Sequence, residues 1–76
     1  MVTADLEIDA SGLPCPMPLL KAKQGLNRLS SGQYLRLKAT DPGSLRDFHA
    51  FADLSPHQLI AADEVQGTFV YLLRKA

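Results

Sequence analysis

From Leu6 the chain alternates: Leu6, Ile8 and Ala10 are apolar, and the residues between them, Glu7 and Asp9, are charged. A period of two belongs to a strand with one buried face, so a strand is expected here. Ser11-Gly12-Leu13-Pro14 interrupts it, and from Cys15 the period lengthens to that of a helix. Leu19, Ala22, Leu26 and Leu29 then share one side of a helical wheel, with Met17, Lys21, Gln24 and Arg28 on the other. Ser30-Ser31-Gly32 supplies a stop, its glycine suited to a left-handed cap.

Alternation returns from Gln33 to Thr40, with Leu35, Leu37 and Ala39 facing one way and Tyr34, Arg36 and Lys38 the other. Thr40-Asp41-Pro42 reads as a helix start, with Asp41 as N-cap and Pro42 at the first helical position. Leu45, Phe48 and Ala52 are expected to form the buried stripe of this second helix, flanked by His49 and Phe51, and Leu54-Ser55-Pro56 to end it. Residues 57–65 and 68–74, around Gln66-Gly67, read as a hairpin. The order is βαβαββ. Right-handed crossovers then lay both helices on one face of one sheet. The expected fold is α+β: a two-layer α/β sandwich in which two helices cover one face of a mixed four-stranded sheet.

Composition narrows the functional classes. A chain of 76 residues is expected to be a single domain, residues 1–76, because a chain this short buries only about 60% of its unfolded surface. With 46% hydrophobic and 21% charged residues, it is ordinary globular material rather than a disordered or collagen-like chain. Eight Lys and Arg balance eight Asp and Glu. Binding by phosphate neutralisation calls for a basic excess, so direct bulk nucleic-acid binding is not expected. The balance hides an uneven order. Residues 1–20 carry Asp5, Glu7 and Asp9 with no base, and residues 21–38 carry Lys21, Lys23, Arg28, Arg36 and Lys38 with no acid. No basic segment followed by an apolar run opens the chain, and no apolar run approaches the ~20 residues of a membrane span. A reduced, soluble, cytoplasmic protein with no membrane contact is the expectation.

One cysteine excludes an internal disulfide and cannot by itself build a zinc cage. His49 and His57 add no ligand spacing, so no metal is expected. The five glycines are isolated and form no phosphate-cradling loop, so no cofactor is expected either. Cys15 stands between Pro14 and Pro16, with Pro18 two residues further on. Proline is tolerated in the first helical turn, where its missing N–H has no intrahelical partner, so these residues fix the helix start. They also set Cys15 at or just before the positive end of the helix. That end favours an anion, so a thiolate with a lowered pKa is expected. A stiff, exposed thiolate is suited to carrying a group on sulfur. A buried cysteine acting as a small hydrophobe has no need of three neighbouring prolines.

Gly12-Leu13-Pro14-Cys15-Pro16-Met17-Pro18, followed by an amphipathic helix, resembles the Cys-Pro-x-Pro signature of the TusA/SirA/YedF family of small sulfur-carrier proteins. Asp41-Pro42-Gly43-Ser44-Leu45-Arg46-Asp47 is similar to that family's Asp-Pro segment with its Arg-Asp pair, and Tyr71-Leu72-Leu73-Arg74-Lys75 to its last strand. The likeness spans nearly the whole chain. It implies that Cys15 accepts sulfane sulfur from a cysteine desulfurase as a persulfide. The sulfur would pass to an acceptor protein of a relay serving tRNA thiolation, molybdenum cofactor synthesis, or other sulfur or selenium metabolism. The protein would be a stoichiometric relay, formally a sulfurtransferase. The likeness also implies that Asp41 to Asp47 lie near the Cys15 loop, with Arg46 steadying the anion on sulfur. Pro14, Pro16, Pro18, Asp41, Pro42, Arg46 and Asp47 are thereby marked as supporting residues.

Two positions depart from the family pattern. The variable motif position, commonly acidic, is Met17, and Phe51-Ala52 stands where some members carry a second cysteine. Without a second cysteine nothing resolves a persulfide within the chain, so the sulfur must leave to another molecule. The stripe of Met17, Lys21, Gln24 and Arg28 begins beside Cys15 and is expected to dock a partner, a solvated helix face being the alternative. A non-catalytic binding or regulatory module and a thiol redox sensor are the other readings these residues leave open.

Overall fold

The computed structural model describes residues 3–76. Six elements follow one another in the expected order. They are strand β1 (Leu6–Ala10), helix α1 (Met17–Leu26), strand β2 (Tyr34–Ala39), helix α2 (Gly43–Leu54) and strands β3 (Gln58–Val65) and β4 (Thr68–Arg74). The strands form one sheet in the order β1-β2-β4-β3. β1 and β2 run parallel, and β4 is antiparallel to both of its neighbours. The steps from β1 to β2 and from β2 to β3 go the same way across the sheet. Crossovers of one hand therefore cover the same face, and the expected two-layer sandwich results.

The alternation in the sequence becomes rows across this sheet. Leu6, Ile8 and Ala10 pair with Leu35, Leu37 and Ala39. The same β2 residues meet Leu73, Tyr71 and Phe69 on β4. These rows, facing the helices, make a core in which Leu35, Leu37, Ala39, Tyr71 and Leu73 are fully buried. Gln66 and Gly67 both take positive φ, 51° and 81°, which gives the two-residue turn whose twist suits a hairpin. In β3 the pairing slips between Leu59 and Ala61, so that Leu59 and Ala62 meet Leu73 and Tyr71. The extra residue of this bulge leaves Ile60 at the surface.

Helix α1 buries Pro18, Ala22, Gly25 and Leu26, with Leu19 and Leu29 half-buried at the core's edge. Gly25 marks where helix and sheet come closest. A Cβ there would lie 2.8 Å from Ile8 Cδ1 and 3.1 Å from Leu6 Cδ2. Its cost of about 1 kcal/mol in helix propensity is the condition of that approach. The helix is also shorter than its apolar period implies. It ends at Leu26, and the N–H groups of Arg28 and Leu29 bond back to Gly25 and Leu26 in a tighter turn. Arg28 therefore lies beyond the helix, not on its face.

Helix α2 is rotated from the expected setting. Leu45, expected in the buried stripe, is 39% exposed, whereas Ser44 is 1% exposed. Ala52 is half-buried, and the inward side is Ser44, Phe48 and Phe51. The cause is a polar contact that hydropathy passes over. Ser44 Oγ and Tyr71 Oη hydrogen-bond at 2.7 Å within the core, so a serine takes the place given to a leucine. Phe48 then stacks on Tyr71 with centroids 4.1 Å apart and planes 1° from parallel. Among the described residues no helix is long and apolar enough to cross a membrane.

Candidate site around Cys15

Parallel pairing of β1 and β2 brings the ends of both strands, and so the starts of both helices, to one edge of the sheet. The loop from β1 to α1 is tied down there. Gly12, at φ +81°, donates its N–H to Thr40 Oγ1 at the end of β2, 2.8 Å away. The Leu13 N–H reaches the Ala10 carbonyl at 3.3 Å.

Cys15 follows, exposed, with a cis peptide bond to Pro16. The regular turns of α1 begin at Met17, one residue later than expected, so Pro16 occupies the cap position and Pro18 the second turn position. Pro18 is fully buried, which anchors the start of the helix; Pro14 and Pro16 are exposed. The Met17 N–H does not serve the sulfur, because it is engaged by the Pro14 carbonyl at 2.8 Å.

The first turn of α2 closes the site from the other side. The helix is regular from Gly43, with Pro42 in the cap position at φ −61° and ψ −29°, already helical. Asp41 Oδ2 accepts the Gly43 N–H at 3.0 Å. Asp41 thus does the capping, although the regular helix starts one residue later than expected. A Cβ on Gly43 would lie 3.5 Å from Cys15 Cβ and 3.6 Å from its Sγ, so the cysteine sits directly on this turn. One turn further along, Asp47 meets the thiol, and Cys15 Sγ donates to Asp47 Oδ2.

This contact reverses the expected protonation. The hydrogen bond to Asp47 raises the Cys15 thiol above its ordinary value of 9.0. Desolvation and the charges of Asp47 and Asp41 push the same way, and Arg46 alone acts to lower it. The physical reason is local. Prolines remove two donors from the α1 start and a carbonyl engages a third, while a carboxylate touches the sulfur. Arg46 exerts the expected pull on a sulfur anion, but the two aspartates outweigh it.

The sign of the pH dependence follows. A thiol whose folded pKa is raised contributes stability that is fully present below its ordinary value and lost as pH rises through the folded value. Urea unfolding followed from below pH 9 to above it should show a loss of stability in the parent protein that Cys15→Ser does not share.

Met17, Lys21 and Gln24 are exposed on α1, and Arg28 is exposed in the turn after it. A different feature adjoins the thiol. A groove of about 410 Å³ opens between the helices, lined by Leu19, Lys23, Asp47, Phe51 and Leu54 among others. Lys23 Nζ lies 5.5 Å from the centroid of the Phe51 ring, and Leu54 is 89% exposed. Asp47 belongs to both groove and thiol contact. Periodicity had assigned these residues to separate helices, and only the sheet sets the helices side by side. None of the four stripe residues lines the groove.

His49 and His57 line another cavity, with Asp53, between α2 and β3. His57 Nδ1 accepts the Ala76 N–H at 3.0 Å, and its ring stacks on Phe51. Among the described residues no three His, Cys, Asp or Glu are grouped to hold a metal ion.

Fold and site together define a class: a small two-layer α/β protein that presents one exposed thiol between prolines, where a strand passes into a helix. The profile of the family described as Sulfurtransferase TusA matches residues 6–75, and the chain belongs to that family. It is 50% identical over 76 residues, the full length of both chains, to the Sulfur carrier protein TusA of Allochromatium vinosum. It is 40% identical over 73 residues to the Sulfur carrier protein TusA of Pseudomonas putida strain GB-1, covering 96% of this chain and 91% of that one. A solved SirA-like protein from Desulfitobacterium hafniense shares the architecture, with a TM-score of 0.78 over 91% of this chain and 95% of that chain at 23% identity.

Proposed function

We propose that the protein is a sulfur carrier in which Cys15 takes sulfane sulfur from a cysteine desulfurase, holds it as a persulfide and passes it to an acceptor protein. The observation that supports this most is the setting of the only thiol. It is exposed on a rigid strand-to-helix loop, in a chain half identical over its full length to a protein named as a sulfur carrier. Exchange of sulfur between thiols needs access and a nucleophilic sulfur, and no enclosed pocket. The donor's outer sulfur bonds to Cys15 Sγ while the donor's S–S bond breaks, its electron pair leaving on the donor's own cysteine. The reverse exchange with an acceptor completes the relay, which serves tRNA thiolation, molybdenum cofactor synthesis or related sulfur metabolism in the cytoplasm. Pro14, Pro16 and Pro18 hold the loop, Asp41 and Pro42 fix the start of α2, and Arg46 brings positive charge to the sulfur.

A peroxide-sensing role fits less well. Redox-sensor cysteines often stand next to a resolving cysteine, and this sequence has one cysteine only. Cold cyanolysis tests the carrier reading. After incubation with a desulfurase and cysteine, the protein should release thiocyanate in proportion to chain, and absence of thiocyanate with a competent desulfurase overturns it.

Met17, Lys21, Gln24 and Arg28 are proposed to dock the partner. Exposed charges of this kind act mainly on the rate of encounter. Lys21→Glu with Arg28→Glu should slow sulfur uptake from the desulfurase by about tenfold at low salt, and by less as salt screens the contact. An unchanged initial rate removes the docking role.

A further inference from the structure

The contact between Cys15 and Asp47 has a consequence for a carrier that must exist in two chemical states. Building on the sulfur-carrier reading, we propose that Asp47 is the residue that distinguishes the empty carrier from the loaded one, holding the empty thiol on α2 and repelling the loaded sulfur.

The empty state is the one the structure shows. Sγ carries a proton and donates it to Asp47 Oδ2. Asp41 Oδ2 is turned to the Gly43 N–H in the same turn, and the sulfur lies beside Gly43, where an added Cβ would stand 3.6 Å from Sγ. The charged groups acting on the sulfur are Asp47, Asp41 and Arg46. Behind them the Tyr71 phenol is buried against Ser44 and stays neutral, its own pKa raised chiefly by burial.

Loading removes the donor. The uptake step, with all atoms counted, is Cys–SH + R–S–S⁻ → Cys–S–S⁻ + R–SH. The Sγ–S bond forms as the donor's S–S bond breaks, and the Cys15 proton ends on the donor's thiol. The outer sulfur of a persulfide is more acidic than a thiol, so the loaded group is anionic at neutral pH. It has no proton for Asp47, and it stands beside two carboxylates. Like charges at this range repel, and only Arg46 offers the opposite sign. The hydrogen bond that fastens the empty thiol is therefore exchanged for repulsion. The loaded sulfur swings off α2 towards Arg46 and solvent, where an acceptor meets it. An empty thiol, neutral and fastened, offers an acceptor or a stray electrophile much less. Asp47 also lines the groove between the helices, so a partner seated there would feel which state it faces.

The test needs no sulfur donor in its first arm. Alkylation of the empty carrier by iodoacetamide is followed against pH in the parent, in Asp47→Asn and in Asp47→Ala. The inflection should move to lower pH in both variants, with a rate at neutral pH that rises about three- to fourfold for each unit the inflection falls, because the gain in thiolate is partly offset by its lower nucleophilicity. In the second arm the parent is loaded chemically with polysulfide, and the Asp47 carboxyl carbon is followed by NMR. Its resonance should differ between empty and loaded protein, and Cys15→Ser treated alike should show no change. Alkylation profiles that coincide in parent and variants overturn the proposal, as does an Asp47 resonance indifferent to loading. If the desulfurase never loads the protein while the alkylation profiles shift as stated, the carrier reading fails and the Cys15–Asp47 contact stands. Normal loading with coincident profiles sinks only the role of Asp47.

Discussion

Phe48→Ala should lower the stability of the protein by about 3–5 kcal/mol, the usual cost of emptying a buried aromatic site. Phe48 is fully buried and lies flat on Tyr71, which is also fully buried. A chain of this length carries roughly 4–11 kcal/mol in all, so the variant should be close to unfolding at room temperature. The loss reaches the site directly. Phe48 follows Asp47 on α2, and its packing, with the Ser44–Tyr71 bond, seats the turn that Cys15 touches. Urea unfolding measures the change, and Phe48→Leu, which retains most of the volume, should lose no more than about 1.5 kcal/mol. A Phe48→Ala loss below about 1 kcal/mol would contradict the packing described.

Cys15→Ser should remove sulfur uptake completely and leave the fold intact. The residue is exposed, and a serine hydroxyl can donate to Asp47 as the thiol does. Stability below the thiol's titration range should therefore stay within about 0.5 kcal/mol of the parent. The chemistry does not survive the exchange. A hydroxyl does not ionise near neutral pH and does not form a persulfide. No second cysteine exists in the chain to take over. Uptake at background level together with an unchanged urea midpoint is the expected pair of results. Sulfur bound by a folded Cys15→Ser protein would place the carrying group elsewhere.

Much of the architecture was legible in the sequence because strand burial alone dictates it. Leu35, Leu37 and Ala39 alternate with charged or aromatic residues, and that pattern is enough to make β2 a strand with one face covered; its place between β1 and β4 was not legible in it. The bulge at Ile60 was not legible. It inserts one residue into β3, and nothing in the local pattern separates that from continued pairing. Helix α2 was legible in place but not in rotation. Apolar residues were assigned inward, and a buried serine paired with a tyrosine 27 residues away carries no local signal.

The site divides in the same way. Cys15 stood out because three prolines around one cysteine have little use except to hold it. Its protonation did not. The helix start was given the deciding field, whereas the structure brings in a carboxylate from 32 residues further along the chain. Asp41 was read from the sequence as the cap of the second helix, but that it, Arg46 and Asp47 lie near the sulfur entered only through resemblance to a family, without the contacts each makes. Parallel strands supply that geometry by delivering both helix starts to one edge. The groove shared by Leu19, Lys23 and Phe51 had no sequence signal, since it belongs to neither helix alone.

The central claim is that Cys15 carries sulfur. Intact mass spectrometry of the full chain after incubation with a cysteine desulfurase and cysteine tests it most directly. The expected result is a gain of one sulfur atom per chain, absent in Cys15→Ser and reversed by a thiol reductant. No gain with a desulfurase that loads another carrier in the same buffer, or an equal gain in Cys15→Ser, would contradict it.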